Sequence, residues 1–200
     1  PASDLILVSR NPAKLSEYKE KGCELRQGDF DNSESLKTAF QGADRMLFIS
    51  TLDIGKNRQR QHLNAIEAAN NAGIKHIVYT SSVGVNPGCP GLSTADHLYT
   101  EQLLSDSGIT FTIMRNSQYA EVYSNMIGPG AIATGKLTFF CKDGCIAMIA
   151  KADCVEAAVT VLTDDSGRHD NNIYEIDGPE LLSFRDIVDL INDLWKKCSV

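Results

Sequence analysis

Short apolar runs, separated by polar stretches, organise the first half of the chain. They fall at Leu5–Val8, Met46–Ile49, Ile77–Tyr79 and Phe111–Met114, with a weaker one at Cys23–Gln27. Each run is too short for a helix and is bounded by polar residues, so we predict buried strands. The segments between them have helical spacing. This alternation predicts an α/β, doubly wound domain whose parallel sheet carries helices on both faces.

The pattern changes after Arg115. It predicts a hairpin of Leu137–Cys141 and Cys145–Ile149 about the turn Lys142–Gly144, then a helix over Ala152–Leu162 and a strand over Ile173–Ile176. Ser183 with Asp186 forms a capping box that should begin a final helix, as Asn32 should cap an earlier one.

Composition narrows the class of protein. The 200 residues are 42% hydrophobic and 22% charged, which is typical of one globular domain. A net charge of -7 without a run of basic residues argues against nucleic-acid binding.

No apolar stretch is long enough to span a membrane and no secretion signal opens the chain, so we expect a cytoplasmic protein. The six cysteines and four histidines lack metal-ligand spacing, and we predict neither a disulfide framework nor a metal site.

The residues that follow each apolar run are the candidates for ligand binding, because ligands of open parallel sheets lie beyond the carboxyl ends of the strands. Arg10 follows the first run. A guanidinium there suits the 2'-phosphate of NADP, whereas NAD favours an acidic residue. The alternative for Arg10 is a solvated charge.

Two further strand ends carry small or aromatic residues. Gly28 precedes Asp29 and Phe30, where the ring could flank an adenine, although a turn with a helix cap explains the same residues. Ser50 and Thr51 follow the third run, and their small hydroxyl side chains leave room for a ribose.

A family resemblance rests on several motifs in order. They are Arg10-Asn11-Pro12, Gly28-Asp29-Phe30-Asp31, Tyr79-Thr80-Ser81-Ser82, His97 with Thr100-Glu101, and Arg115-Asn116 through Tyr119 and Glu121. The set resembles the NmrA-like branch of the atypical short-chain dehydrogenases, most closely its NADPH-dependent quinone oxidoreductases and triphenylmethane reductase. The resemblance implies a Rossmann-like fold, NADP(H) as cofactor and a small electron acceptor such as a quinone.

The resemblance also implies which residues meet the cofactor. In such proteins the arginine at Arg10 selects NADP(H), Ser50–Leu52 lines the dinucleotide, and Asn116–Glu121 surrounds the nicotinamide. Lys151 stands where those proteins have an arginine. The expected cofactor contacts are Arg10, Asp29, Phe30, Ser50, Thr51, Leu52, Ser81, Asn116, Ser117, Gln118, Tyr119, Ala120, Glu121 and Lys151.

The proton donor departs from the classical pattern. Classical short-chain dehydrogenases use Tyr-x-x-x-Lys, but the matching helix here carries His97 and Glu101, one turn apart. The two could hydrogen-bond each other, which makes His97 a candidate catalytic acid; the alternative is a polar pair on the helix surface. Quinone reduction by hydride transfer needs mainly positioning. Tyr119 and Tyr123 are candidates for lining the substrate pocket or for core packing.

The glycine loop that grips the pyrophosphate in this family would lie before Pro1, on a strand next to Leu5–Val8. We therefore interpret residues 1–200 as one NAD(P)-binding domain truncated at both ends, with 129–200 including the start of the substrate-side region. We expect the remaining contacts to hold a dinucleotide weakly.

Three hypotheses about function follow from the sequence. The first is an NADPH-dependent reductase of quinones or similar conjugated electrophiles. The second is an NmrA-like redox sensor that binds NADP(H) without turnover and contacts a protein partner. The third is a truncated product that binds no cofactor and acts through interactions.

Overall fold

The computed structural model describes residues 1–88, 91–138 and 143–198, apart from the side chains at 92 and 196–198. Its strands are β1 (Ile6–Ser9), β2 (Glu24–Gln27), β3 (Arg45–Phe48), β4 (His76–Ser82), β5 (Thr110–Asn116), β6 (Cys145–Ile146), β7 (Asn172–Ile176) and β8 (Leu182–Ser183). Its helices are α1 (Ser16–Glu20), α2 (Ser33–Ala39), α3 (Lys56–Ala72), α4 (Leu92–Asp106), α5 (Ala120–Val122), α6 (Gly128–Thr134), α7 (Lys151–Thr163) and α8 (Phe184–Cys198). The alternation predicted for the first half is confirmed.

Strands β1–β5 and β7 pair in parallel, as predicted, but in two sheets rather than one. One sheet has the order β3-β4-β5-β7 and is parallel throughout, and β1 pairs with β2 in the same sense. Among the described residues β1 pairs only with β2, and β3 pairs only with β4. In the described ranges, β1 and β3 therefore each have one edge without a partner strand.

Apolar side chains cover both faces of the larger sheet. Ile77 and Tyr79 of β4 belong to a core built with α2, α3 and α4. Val78 lies between them in sequence and packs with Met114 of β5 and Val161 of α7 on the other side. Because successive strand residues point to opposite faces, helices enclose the sheet from both sides. The doubly wound α/β architecture is confirmed.

Both predicted helix caps are present. The Asn32 Oδ1 accepts a hydrogen bond from the amide of Ser35, three residues into α2. At α8, the Asp186 amide donates to Ser183 Oγ, and the Ser183 amide donates back to Asp186 Oδ2. This reciprocal pair is a complete capping box, which satisfies amides that the helix itself leaves unpaired.

The predicted hairpin partner of Cys145–Ile149 lies mostly outside the described residues, so the hairpin stays a prediction. The strand at Cys145–Ile146 pairs antiparallel with Leu182–Ser183, which the sequence did not predict. Leu137 and Thr138 are not in a strand, while 139–142, which hold the rest of that predicted strand and part of its turn, lie outside the described residues. The local sequence has the turn residues of a hairpin, but its strand contacts a segment far along the chain.

Within the described ranges, no helix has the length and apolar character needed to cross a membrane. Those same ranges hold no group of three or more side chains arranged to ligate a metal ion. Cys23, Cys145 and Cys154 are free thiols.

Candidate functional site

Hydrogen bonds join the carboxyl ends of neighbouring strands into one continuous edge. The linking bonds are Ser50 N to Thr80 Oγ1 (3.0 Å), Val83 N to Asn116 O (3.1 Å) and Ser117 N to Ile176 O (2.9 Å). Ligands of parallel sheets bind at this edge. The structure thus places the sequence-predicted residues of β3, β4 and β5 side by side.

The tip of β1 lies beside the tip of β2. The Gly28 amide donates to Ser9 O at 3.1 Å, and a Cβ on Gly28 would lie 2.5 Å from Val8 Cγ1, so only glycine fits. Arg10 comes directly after Ser9 in the chain, and its side chain is exposed. Within the described part of the chain, its guanidinium has neither a hydrogen bond nor an ion pair.

Asp29 and Phe30 lie in a tight turn after β2. The Asp29 Oδ1 accepts the amide of Asp31 at 3.0 Å. The Phe30 ring is half-buried and contacts Phe48 edge-on, with ring centroids 5.6 Å apart. The turn-and-cap interpretation of this segment is therefore present in the structure, while contact with an adenine stays a prediction.

The loop after β3 presents one fully exposed apolar side chain. Leu52 is 100% exposed, whereas Ser50 and Thr51 are half-buried. The Thr51 amide donates to Nε2 of the buried His62 at 3.1 Å. The hydrogen bond to His62 thus holds the backbone of this loop, while the Leu52 side chain is exposed to solvent.

Helix α3 connects the loops after β2 and β3. The Gln61 Nε2 donates to Asp31 Oδ2 at 3.0 Å and to Asp53 Oδ2 at 2.6 Å. Asn64 Nδ2 donates to Phe30 O at 2.8 Å. The sequence analysis missed these residues of α3. The available signal was a long polar stretch at the start of a helix that lies between two buried strands.

Ser81 does not offer a free hydroxyl. Its Oγ donates to Glu101 Oε1 at 2.6 Å, and Arg115 Nη2 donates to the other oxygen of Glu101 at 2.7 Å. This ion pair raises the pKa of Arg115. A contact of Ser81 with the cofactor stays a prediction, and its hydroxyl supports the tips of β4 and β5 through Glu101.

The expected hydrogen bond between His97 and Glu101 is wrong. His97 is 6% exposed, and its Nδ1 lies 2.8 Å from the Tyr79 hydroxyl, on the inner side of α4. Burial lowers the pKa of His97 to about 4, so the ring is neutral near pH 7. The pair is not a surface feature either, because Glu101 is equally buried.

Asn116 combines burial with an unused acceptor. Its Nδ2 donates to the Tyr119 hydroxyl at 3.1 Å, but its buried Oδ1 has no hydrogen-bond partner in the described part of the chain. Buried polar atoms are rarely left unpaired, since the cost is about 1–3 kcal/mol. Burial also raises the pKa of Tyr119, which stays protonated.

Backbone hydrogen bonds hold the segment after Asn116. Gln118 O accepts the amide of Ile149 at 3.1 Å, and the Ala120 amide donates back to Ile149 O at 2.9 Å. Ser117 is buried and Gln118 is exposed. Tyr123, a candidate pocket residue, is 7% exposed and therefore packs in the interior.

Glu121 and Lys151 meet at the start of α7. The Lys151 amide donates to both carboxylate oxygens of Glu121, at 3.0 and 3.1 Å. A carboxylate at a helix N-terminus is favoured by the helix dipole. The Lys151 Nζ lies 5.6 Å from the centre of the Tyr119 ring, within cation–π range. Lys151 thus lies beside Tyr119, and its contact with the cofactor stays a prediction.

A family model described as NAD(P)H-binding matches residues 2–165. The chain belongs to this NAD(P)H-binding family. Quinone oxidoreductase 2 of Escherichia coli is 37% identical over 178 residues, which are 89% of this chain and 60% of the relative. An NmrA-like family domain-containing oxidoreductase of Aspergillus flavus is 30% identical, covering 96% of this chain and 63% of the relative.

Solved structures of this family have the same fold. An NADPH-dependent quinone oxidoreductase from Escherichia coli, complexed with NADPH, is similar with a TM-score of 0.89 and 33% identity, over 98% of this chain and 68% of that one. Citrobacter sp. triphenylmethane reductase complexed with NADP(H) has a TM-score of 0.86 and 30% identity, over 97% and 67%. The NmrA-like resemblance is confirmed. The chain spans 60% to 63% of the length of these two curated relatives.

Proposed function

We propose that this NAD(P)H-binding chain is the cofactor-holding part of an NADPH-dependent reductase of quinones or similar conjugated electrophiles. The observation that carries the proposal is unused hydrogen-bonding capacity at the carboxyl ends of β1 and β5, which belong to different sheets. Among the residues that the structure describes, the guanidinium of Arg10 and the buried Oδ1 of Asn116 have no hydrogen-bond partner. Both are groups that a dinucleotide could satisfy.

Arg10 supports NADPH rather than NADH. A planar guanidinium binds a phosphate with paired, charge-assisted hydrogen bonds, whereas NAD-specific sites place Asp or Glu near this strand end. The tip of β1 ends in Ser-Arg-Asn, without an acidic side chain. The quinone oxidoreductase and triphenylmethane reductase relatives were solved with NADPH and NADP(H), which agrees with this choice.

Asn116, Tyr119 and Lys151 support a nicotinamide at the tip of β5. The Asn116 Oδ1 is an acceptor for an amide such as the nicotinamide carboxamide, and the Lys151 ammonium lies above the adjacent ring of Tyr119. The bound cofactor would supply the hydride. These side chains would orient it and exclude water from one side.

Reduction of a quinone to a hydroquinone consumes one hydride and one proton. Tyr119 accepts its hydrogen bond from Asn116 and therefore keeps its own O–H to donate to a carbonyl oxygen of the acceptor. Its raised pKa favours hydrogen-bond donation over full proton release, so the final proton comes from solvent. His97 has no part in this scheme because it is buried against Tyr79.

Turnover tests the proposal. The chain is titrated with NADPH and with NADH by calorimetry, and nicotinamide absorbance is followed after a benzoquinone is added. We expect NADPH to bind more tightly than NADH and to be oxidised only when the quinone is present. Failure to bind either dinucleotide would contradict the proposal.

A second function is favoured by the state of His97 and Glu101 on α4. His97 is neutral and buried, and Glu101 is held in an ion pair with Arg115, so neither acts as the tyrosine and lysine of a classical dehydrogenase. This favours an NADP(H)-binding regulator that does not turn the cofactor over. NADPH binding without oxidation by quinones, dyes or azo compounds would select the regulator over the reductase.

A further inference from the structure

A cluster of buried polar side chains lies beneath the loop Ser50–Gly55. We call it the loop clamp. Its members are at most 7% exposed, and they are Arg58, Gln61 and His62 of α3 and Asp96 of α4. Burying polar groups is unfavourable unless each finds a partner, so their partners show what the cluster holds.

His62 has one required tautomer. The Thr100 hydroxyl donates to Asp96 O at 2.8 Å, so its oxygen can only accept from His62 Nδ1, also at 2.8 Å. The proton is therefore on Nδ1, and Nε2 is free to accept the Thr51 amide at 3.1 Å. Burial lowers the pKa of His62 to about 3, which keeps this neutral form across the physiological range.

Asp96 fixes the other end of the loop. Its Oδ2 accepts the Gly55 amide at 2.6 Å, and its Oδ1 accepts Gln59 Nε2 at 2.8 Å. Gly55 has a φ of +65°, a conformation that other residues rarely adopt. The first and last parts of the loop are thus attached to two different helices.

The middle of the loop is held through Asp53. Gln61 donates to its carboxylate, and the Arg58 Nε donates to its backbone oxygen. Between these attachments, Leu52 is fully exposed and Ile54 is 57% exposed. A rigid backbone thus presents apolar side chains to the edge where the strands end. Ordering a loop in advance removes that cost from binding.

We propose that His62 and Asp96 are positioning residues for the dinucleotide. They hold the amides of Thr51 and Gly55 so that Ser50–Leu52 has its binding shape before the cofactor arrives. The inference rests on the proposed function, which puts the dinucleotide at this edge. Neither residue is required to touch the cofactor.

The test compares variants that weaken the attachment of the loop at Thr51 or at Gly55 with matched controls. His62→Leu removes the acceptor, while His62→Gln restores an oxygen near the position of Nε2. Asp96→Asn weakens the attachment of Gly55, and Asp106→Asn, an exposed site on the same helix, is the matched control. Gly55→Ala strains the loop without touching the core, since nothing lies within 4 Å of an added Cβ.

Two quantities are measured for each variant: hydrogen–deuterium exchange over residues 51–55, and the Kd for NADPH. We expect His62→Leu, Asp96→Asn and Gly55→Ala to speed exchange and to raise the Kd by roughly tenfold, the scale of one lost hydrogen bond. Turnover at saturating NADPH should change by less than about twofold, because the effect is on binding. His62→Gln and Asp106→Asn should stay close to the unsubstituted chain.

Faster exchange with an unchanged Kd would overturn the inference, as would exchange that the variants do not alter. These results leave the proposed function standing, because the unsubstituted chain still binds NADPH. If that chain binds no dinucleotide at all, the proposed function fails and the inference falls with it.

Discussion

Two segments of the strand-end edge are built in opposite ways. The clamped loop, Ser50–Gly55, is attached through buried side chains of α3 and α4, and every clamp residue contributes at least one hydrogen bond. The open segment, Asn116–Glu121, is attached mainly through its backbone to Ile149 and Ile176, and leaves Asn116 Oδ1 unpaired. The difference suggests that the clamped loop gives the binding site its shape, whereas the open segment provides the unpaired groups that bind a ligand.

Acid should destabilise the fold through His62 of the loop clamp and through His97, which contacts Tyr79. Burial lowers the pKa of His62 to about 3 and of His97 to about 4, from an ordinary 6.5. Below pH 6.5 the two histidines bind protons in the unfolded chain but stay neutral in the folded chain. Their contribution to the stability is therefore complete above that pH and is lost on acidification. Between pH 6.5 and 4.5 the two histidines should cost roughly 5 kcal/mol.

Urea unfolding across this pH range measures the loss. His62→Gln should remove about 2 kcal/mol of the dependence, since His97 and His76, whose pKa values burial also lowers, then remain. An unchanged slope in that variant would show that His62 is already protonated in the folded chain.

The open segment depends on the buried ion pair beneath it. Glu101→Ala leaves Arg115 without its main partner and removes the acceptor of Ser81. We expect a loss of about 3 kcal/mol in the free energy of unfolding. Glu67→Ala, at an exposed site of α3, should change it by less than about 0.5 kcal/mol. Equal losses of unfolding free energy in the two variants would show that the Glu101–Arg115 ion pair does not support this segment.

Substitution of Arg10 tests whether the site prefers NADPH to NADH. Arg10→Ala should weaken NADPH binding by about 1.5–3 kcal/mol, roughly ten- to hundredfold, with little effect on NADH. Calorimetric titration of both cofactors measures the difference. Arg185→Ala removes the same charge from an exposed position on α8 and serves as the control. A parallel loss for NADH would assign Arg10 a general electrostatic effect.

Substitution of Asn116 distinguishes a role in ligand binding from a role in the stability of the fold. Asn116→Leu removes a buried acceptor that no described residue satisfies, together with the donor to the Tyr119 hydroxyl, so the free energy of unfolding should change by about 1 kcal/mol at most. NADPH affinity should nevertheless fall about tenfold, because the ligand loses that acceptor. The same substitution at exposed Asn192 should alter neither quantity. A large loss of stability with normal affinity would make Asn116 structural.

The sequence predicts the sheet well because buried parallel strands are continuous apolar runs. It also places Arg10, Ser50 and Asn116 at strand ends, since each follows an apolar run within two residues. The pairing of Cys145–Ile146 with Leu182–Ser183 escaped prediction, because turn chemistry is local whereas strand partners are chosen across the whole chain.

The loop clamp escaped prediction for a related reason. His62 contacts Thr51, and Asp96 contacts Gly55, through bonds that join different elements. Periodicity identifies the apolar face of a helix but not a polar face that is buried. His97 was misjudged in the same way, since helical spacing to Glu101 does not reveal that the ring turns inward to Tyr79.

Hydrogen–deuterium exchange of the chain with and without NADPH tests the central contrast most directly. The Thr51 and Gly55 amides should exchange slowly in both states and change by less than about twofold, because the clamp already protects them. The Gln118 and Tyr119 amides, which have no acceptor in the described residues, should become protected only when NADPH is added. Fast exchange at Thr51 and Gly55 that slows only with NADPH would contradict a preformed loop.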